Sequence, residues 1–405
     1  MKYAHLADLH LGAWREEKMR ILSTHAFLNA VDQCIKQHVD FILFAGDLFN
    51  TSLPDLNTLK TVTKKLKELQ DKKIPIYIIA GSHDFSPSGK TMLDVLEHAG
   101  LLVNVCKGKV QDNELHLSFT TDTNTGAKIT GVLGRRGLLD KTYYTTLHRE
   151  SLEQEQGYKI FMFHTAVTEL MPKELGMVES LPLSFFPKRF NYYAGGHIHN
   201  TKRINPPEYG TVTYPGALFP HNFQEMEKFG HGNYYIVTVE DGVQTVEDVP
   251  VIVKPCTSLE LDCTGKSPDV ITFEILDNFQ EKDIIDTVIT IKLKGTIRNG
   301  KVSDINFTEI FKQLYEKGAY FIMRNMTRLN SEEFEEIKIV QSNPEFVEND
   351  IINEHLQQMK TFDKETELHT IQSLMTVLNT TKKEGETITD FHTRTETEID
   401  RLLQM

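Results

Sequence analysis

From Lys2 to about residue 245 the chain alternates short, almost unbroken apolar runs with segments whose apolar residues recur at helical spacing. The runs are KYAHLAD (2–8), VDFILFAGD (39–47), IPIYIIAG (74–81), KITGVLG (128–134), YKIFMFH (158–164), YYAGGH (192–197), TVTYPGAL (211–218) and NYYIVTV (233–239). Continuous rather than alternating apolar character predicts strands buried on both faces. Between the first two runs Met19, Leu22, Ala26, Ala30 and Cys34 fall on one helical face, and Leu56, Leu59, Val62, Leu66 and Leu69 do so between the second and third. Strand–helix–strand repetition predicts right-handed crossovers in an α/β sheet. The later runs follow one another with less helix between them, so the second half of the sheet is expected to be mixed or antiparallel.

Around KPCTSLELDCTGKSPD (254–269) the pattern changes. VITIKLKGTI (288–297) alternates as a half-exposed strand should, NFTEIFKQLYEKG (306–318) reads as a helix ending at Gly318, and AYFIMRNM (319–326) reads as a strand. These elements predict a small second domain of α+β type. From about residue 345 the chain turns polar and acidic, with one amphipathic stripe in Leu368, Ile371, Leu374, Met375 and Leu378 and another in Ile388, Phe391, Ile399 and Leu402. The expected division is 1–250, 251–340 and a helical region 341–405.

Composition changes this picture little. The 405 residues, 40% hydrophobic and 25% charged, suit a globular protein of two or three domains. No stretch approaches the roughly 20 apolar residues of a membrane helix. MKYAHLADLH lacks the apolar core of a signal peptide, so a cytoplasmic, nucleoid-associated location and no membrane partner are expected. Cys34, Cys106, Cys256 and Cys263 form no CxxC pair and suggest neither disulfides nor a zinc ribbon. A net charge of −13 argues against a chain-wide nucleic-acid surface, though not against a local basic groove.

The chemistry lies at the carboxyl ends of five predicted strands. Asp8 and His10 stand in ADLHLG, Asp47 in AGDLF, Ser82, His83 and Asp84 in GSHD, His164 in FMFHTA, and His197 and His199 in GGHIHN. Ligands of open α/β sheets bind beyond the carboxyl ends of strands, so residues far apart in sequence are expected to converge there. Imidazole nitrogens with carboxylate oxygens suit manganese, iron or zinc. Seven or more such groups exceed what one ion takes, while two ions sharing a carboxylate would use them, with Asp47 as the natural bridge. A lone histidine on an apolar strand is usually a core residue; that reading fits His5 and the scattered His25, His38, His98 and His116. It fits the ordered set poorly.

Asp-x-His, Gly-Asp, Gly-x-His-Asp, a lone His and Gly-His-x-His, in that order, resemble the calcineurin-like metallophosphoesterases. MKYAHLADLHLG, VDFILFAGDLFN and the YPGAL that follows GGHIHN are similar to the Mre-eleven/SbcD double-strand-break repair nucleases, in their archaeal form. The likeness runs over roughly residues 1–330. It implies a two-layered β-sandwich flanked by helices, an α+β domain capping the site and a helical C-terminal tail. It further implies two metal ions, manganese foremost. Asp8, His10, Asp47 and His199 would hold one ion, and Asp47, Ser82, His164 and His197 the other. His83 would touch the scissile phosphate, with Asp84 orienting its ring. The two ions would acidify a shared water and neutralise charge on the phosphorane, with no covalent nucleophile.

Two positions depart from the family pattern. Ser82 stands where it has asparagine, which weakens one metal site, and Asn50 stands where many members place a phosphate-facing histidine. Basic residues cluster at Arg135 and Arg136, Lys188 and Arg189, Lys202 and Arg203, and Lys292 and Lys294 with Arg298 and Lys301; these are the candidate DNA contacts. By resemblance the partners are single- and double-stranded DNA ends, an SMC-like SbcC-type ATPase docking on the C-terminal helices, and a second copy meeting through segments 56–70 and 90–99. A manganese-dependent exonuclease or endonuclease of break repair is the expected function. A phosphoesterase for a small phosphodiester or a phosphoprotein, and a scaffold component with a weakened metal site, are the alternatives.

Overall fold

The computed structural model describes residues 1–86, 91–135, 137, 139–171, 180–332, 363–383 and 386–403. Met1–Glu333 form one compact unit and Phe334–Met405 another. The first unit is built on two six-stranded sheets. One holds β1 (Lys2–Leu6), β2 (Phe41–Ala45), β3 (Ile76–Ile79), β4 (Val103–Asn104), β13 (Gly232–Glu240) and β14 (Val243–Val251), in the order β14-β13-β1-β2-β3-β4. Within it β1 to β4 pair in parallel, while β13 and β14 run antiparallel at one edge. The other holds β7 (Thr120–Thr121), β8 (Lys128–Val132), β9 (Lys159–His164), β10 (Tyr192–Gly196), β11 (Lys202–Ile204) and β12 (Thr211–Tyr214), in the order β11-β12-β10-β9-β8-β7. Its four central strands are parallel and both edges antiparallel. A hairpin, β5 (Gly108–Gln111) and β6 (Glu114–Leu117), stands apart.

Strand periodicity sorts the side chains into layers. Tyr3, Phe41, Leu43, Tyr77 and Ile79 of the first sheet meet Ile129, Ile160, Met162, Tyr192 and Ala194 of the second in a buried core between them. The opposite face of the first sheet packs on α1 (Glu17–Lys36), α2 (Leu56–Asp71) and α3 (Met92–His98). The opposite face of the second, with Phe161, Phe163 and Tyr193, packs on α4 (Lys141–Thr145), α5 (Arg149–Gln154) and the loops around Leu181 and Phe190. This is the expected two-layered sandwich with flanking helices. His5 points into the inter-sheet core, its Nδ1 2.9 Å from the Tyr192 hydroxyl, and burial pushes its imidazole down to about 3. It is a core residue, as expected.

All eight predicted strands form; the runs ending in Asp8, Asp47 and His197 stop pairing one or two residues early, where the chain turns out of the sheet, whereas β9 runs through His164, which pairs with Gly196. The strands β4 to β7, β11, β14 and β15 (Cys256–Asp262) escaped the sequence pattern. They are edge or two- to four-residue elements, or, like β14, mostly exposed and polar. The helix α7 (Pro268–Asn278) was also missed. Its β-branched and aromatic content resembles a strand, but Pro268 starts it and Ile271 and Ile275, one turn apart, are buried.

The region after residue 251 forms a three-stranded sheet, β15, β16 (Val288–Ile297) and β17 (Phe321–Ser331), joined through α7 and α8 (Phe307–Glu316). All its strands are parallel, so helices alternate with strands rather than segregating from them. As the central strand, β16 is buried on both faces from Val288 to Ile291 and alternates, as expected, only beyond that, with Lys292 and Lys294 half-buried around Leu293. Ile289, Ile291 and Leu293 pack under α7 and α8, while Val288 joins the core of the first sheet's helical face. The four cysteines are free, and no described helix is long and apolar enough to cross a membrane.

In the second unit the two predicted stripes lie on helices Lys364–Leu378 and Ile388–Leu403. The start of the predicted tail, 341–362, lies outside the described residues. Because both sheets and the three-stranded unit close their cores before Glu333, a chain ending there is expected to fold. Its thermal melting transition and metal content should match those of the full chain. A truncated chain that is insoluble or melts without cooperativity would contradict this partition.

Candidate metal centre

β1, β2 and β3 are neighbours in the first sheet, and β9 and β10 are neighbours in the second. Their carboxyl ends share one edge of the sandwich, and the polar residues that follow them meet there. Asp8, His10, Asp47 and His197 all have positive φ (50°, 42°, 53° and 87°). Such backbone is uncommon for residues with a Cβ, and it turns each side chain back across the strand ends. Glycines make the approach possible. A Cβ on Gly46 would lie 2.1 Å from His164 Nδ1, and one on Gly196 would lie 2.0 Å from the Ala45 carbonyl oxygen.

The polar atoms converge closely. His10 Nε2 lies 3.6 Å from Asp47 Oδ2, 3.9 Å from Asp8 Oδ1 and 3.2 Å from His199 Nε2. His164 Nε2 lies 3.2 Å from Asp47 Oδ2 and 3.9 Å from Asp8 Oδ1, and His199 Nε2 lies 3.6 Å from Asp8 Oδ1. Hydrogen positions follow from partners that can only accept. His164 Nδ1 is 2.8 Å from the Ala45 carbonyl and His199 Nδ1 is 2.8 Å from Glu225 Oε1, so both Nδ1 atoms carry hydrogen. Their Nε2 atoms therefore face the carboxylates, and loss of the Nε2 proton leaves each a lone pair for an ion. Buried His164 Nε2 has no hydrogen-bond partner.

This donor set fits metal ions. Ligands about 2.1 Å from an ion stand roughly 3.0–3.4 Å apart at octahedral or tetrahedral angles, close to the spacings here. Two triads, Asp8–His10–His199 and Asp8–Asp47–His164, adjoin, and His10, Asp47 and His83 form a third grouping. Asp47 and Asp8 each recur in two of these groups, so Asp8 holds a place as central as the one expected for Asp47. The electrostatics ask for positive charge. Burial opposes charging His164, but Asp47 and then Asp8 raise it to about 9. Burial likewise opposes His199, which Asp8 and Glu225 raise to about 10. His10, more dominated by burial, is pushed down to about 3. Asp47 would be raised by burial, yet His164 and His10 hold it well below the usual carboxylate range.

The remaining predicted residues are distributed as follows. Ser82 is buried in the turn after β3, between Gly81, whose N–H donates to Asp84, and His83, whose N–H donates to Asp47 Oδ1 at 2.7 Å. His197 is exposed; its N–H donates to Asp8 at 2.9 Å, its ring centroid lies 5.4 Å from that of His164, and it joins none of the close-set ligand groups found among the described residues. The expected orientation of His83 by Asp84 is corrected. The Asp84 carboxylate is taken up by the N–H groups of Leu48, Phe49 and Gly81, which knits the β2 and β3 loops together. Burial and the neighbouring Asp47 raise its carboxyl to about 7. The His83 ring is held instead through Nδ1, 2.8 Å from the backbone carbonyl of Asn50. Asn50 thus contributes its backbone.

Two residues at the site escaped the sequence reading, His221 and Glu225. The His221 ring stacks on His10 at 4.8 Å, and its Nδ1 lies 2.9 Å from Glu225 Oε2. The signal was present in PHNFQE, just after YPGAL, but it follows no strand end of the ordered set. Among the basic candidates, Arg135 stacks over Phe85, next to the GSHD turn, at 4.6 Å. Lys202 pairs with Tyr214 at the site end of β12. Lys188 and Arg189 do not reach the site: they precede β10, which lies between them and His197 and is roughly 17 Å long. Lys188 pairs with Glu208, Arg203 with Asp248, Lys292 with Glu227 and Glu260, and Lys294 with Glu260. Arg136 lies outside the described residues.

With His164 and His199 protonated up to about pH 9 and 10, an ion near neutral pH must displace protons. Metal affinity should therefore rise with pH between about 6 and 8, with proton release on binding. Calorimetry in two buffers of different ionisation enthalpy measures both. Affinity independent of pH, with no protons released, would contradict these ligand assignments.

The comparisons with known proteins agree with this chemistry. The calcineurin-like phosphoesterase profile matches residues 1–201. The chain is 30% identical over 248 residues to the DNA double-strand break repair protein Mre11 of Methanococcus maripaludis (58% of this chain, 62% of the relative). It is 27% identical over 256 residues to that of Archaeoglobus fulgidus (60% and 56%). It therefore spans less than two thirds of the length of these two relatives. Along nearly its whole length it is similar to the SbcD component of the SbcCD nuclease of Staphylococcus epidermidis, at 25% identity over 391 residues (89% and 96%). Residues 1–201, the stretch that carries every candidate ligand from Asp8 to His199, belong to the calcineurin-like phosphoesterase family.

Proposed function

We propose that this chain is a manganese-dependent DNA nuclease that processes DNA ends in double-strand-break repair. The observation that carries this reading is the pair of adjoining ligand triads sharing Asp8, beside an imidazole, His83, whose Nδ1–H is fixed by the Asn50 carbonyl. The names of the relatives supply the substrate class. Ions bound by Asp8, His10, Asp47, His164 and His199, with Ser82 and His197 completing the second set, would supply Lewis acidity toward water and phosphate. The chain's own residues do the rest. Asp47 and Asp8 neutralise and space the cations. His83, with Nδ1 committed to Asn50, would use Nε2 as the donor to a phosphate oxygen or to the leaving 3′- or 5′-oxygen. Asp84 keeps the two loops in register.

Of the basic candidates, Arg135 and Lys202 lie toward this edge. The exposed ion pairs of Lys292 and Lys294 with Glu260 are individually weak and can be exchanged for phosphates. An ATPase partner of the SbcC type docks on the apolar stripes of the two C-terminal helices, so truncation at Glu333 should abolish its co-purification. A second copy meets the chain through α2 and α3, where Leu56 and Val95 are exposed (81% and 57%).

Incubation with manganese and labelled single- and double-stranded DNA, beside a small chromogenic phosphodiester, tests the function. Cleavage of the small ester alone would replace DNA as the substrate, and no cleavage at any manganese concentration would leave a scaffold. Asp47→Ala and His83→Ala should both lose activity, by different routes. Asp47→Ala loses bound metal, whereas His83→Ala keeps it and loses about 10²–10⁴ in rate. Equal metal loss in both variants would refute the division of roles.

Ser82 offers a shorter, weaker ligand than an amide would. Ser82→Asn should tighten one ion by about 1 kcal/mol and lower the manganese concentration for half-maximal cleavage. Superimposable titration curves would remove position 82 from the ligand set.

A further inference from the structure

Glu225 lies in the first turn of α6 (Phe223–Phe229), the short helix that follows YPGAL and is capped by the Asn222 side chain on Glu225 N. Its two carboxylate oxygens receive four hydrogen bonds. Oε1 accepts from His199 Nδ1 at 2.8 Å and from Asn222 Nδ2 at 3.0 Å. Oε2 accepts from His221 Nδ1 at 2.9 Å and from His221 N at 3.1 Å. A carboxylate so occupied is pinned at both oxygens, and it has no hydrogen to give. It therefore dictates that both imidazoles carry hydrogen on Nδ1.

The consequence for His199 is directional. With Nδ1–H committed to Glu225, the ring presents Nε2 to Asp8 Oδ1 at 3.6 Å and to His10 Nε2 at 3.2 Å, the place where an ion belongs. His199 is the most exposed ring of its triad, with side-chain exposure of 17% against 2% for His10, so packing alone restrains it least. His221, held by the other oxygen, lies against both neighbouring rings: stacked on His10 at 4.8 Å and edge-on to His199 at 4.6 Å. The direct 2.8 and 2.9 Å contacts leave no room for an ion between Glu225 and the two rings. The grouping His199–His221–Glu225 is thus a support for the metal centre, not a third site.

We propose that Glu225 is a positioning residue of the metal centre, fixing the tautomer and direction of His199 and thereby the affinity of the ion that Asp8, His10 and His199 hold. This rests on the two-ion reading above. Outer carboxylates that orient a ligating imidazole typically account for about 10–100-fold in metal affinity. His221 is the second imidazole on the same carboxylate and supplies no metal ligand.

The test is calorimetric titration of the full chain with manganese, in wild type, Glu225→Gln and His221→Ala, with thermal melting of each metal-free protein. The expected result is two classes of site in wild type and one class weakened about tenfold or more in Glu225→Gln, with the other class and the melting transition unchanged. His221→Ala should retain both classes within about twofold. Wild-type affinities in Glu225→Gln would overturn the proposal. So would equal loss of both classes with a lowered melting transition, which marks a merely structural role, or a loss in His221→Ala as large as in Glu225→Gln. Should Glu225→Gln fail to fold, imidazole nitrogen resonances of the zinc-loaded wild type decide. Hydrogen on Nδ1 of His199 and metal on Nε2 support the assignment, and the reverse tautomer overturns it. A wild-type chain that binds no metal overturns the two-ion reading and this proposal with it, an outcome distinct from all the others.

Discussion

Two buried carboxylates and three imidazole Nε2 atoms crowd one edge of the sandwich, with neighbouring atoms 3.2–3.9 Å apart. Burying a charge without a partner costs several kcal/mol, so this arrangement requires positive charge at its centre. In the metal-free protein protons supply it, which is why His164 and His199 are raised to about 9 and 10 while Asp47 is held low. Metal ions would supply it in place of those protons. Much else in the fold serves this constraint. Strands are buried on both faces so that their ends stay fixed, left-handed residues turn the side chains inward, and glycines let the loops pass within contact of the rings.

The sequence revealed the part of this design that is ordered along the chain. Continuous apolar runs marked the strands, and the polar residue at each run's end marked the ligand, because strand direction alone decides where that residue goes. Partners that arise from loop packing carried no such signal. Asp84 follows His83 directly and was read as its orienter, yet the turn after β3 sends its carboxylate back to the N–H groups of Leu48 and Phe49. The Asn50 carbonyl takes the ring instead. Glu225 reaches His199 from 26 residues away through a helix cap, a contact that no periodicity encodes. The division into two sheets was likewise hidden in the apolar runs, since a strand buried on both faces looks the same in either sheet.

Charge clusters were the least legible feature. Pairs of basic residues look alike in sequence, but Lys188 and Arg189 lie at the amino end of β10 while Lys202 lies at the site end of its sheet. Direction of the strand, not spacing of the charges, separates them. Lys292 and Lys294 lie on β16 as predicted, but their charges are met by Glu227 and Glu260. A net charge of −13 makes such pairing the default for an exposed lysine.

Glu227 links these observations. It stands two residues beyond Glu225 on α6, and on a helix such positions point to different sides. Glu225 faces the metal centre through His199, while Glu227 faces β16 through Lys292 at 3.2 Å. The Ser258 hydroxyl of β15 donates to the Glu227 carbonyl at 3.3 Å. A helix of seven residues is only about 10 Å long and has no room to bend between these attachments. The three-stranded unit and the imidazole that completes the first ligand triad are therefore carried on one rigid piece. The attachment of the three-stranded unit and the aim of His199 are fixed by the same short stretch, FQEMEKF.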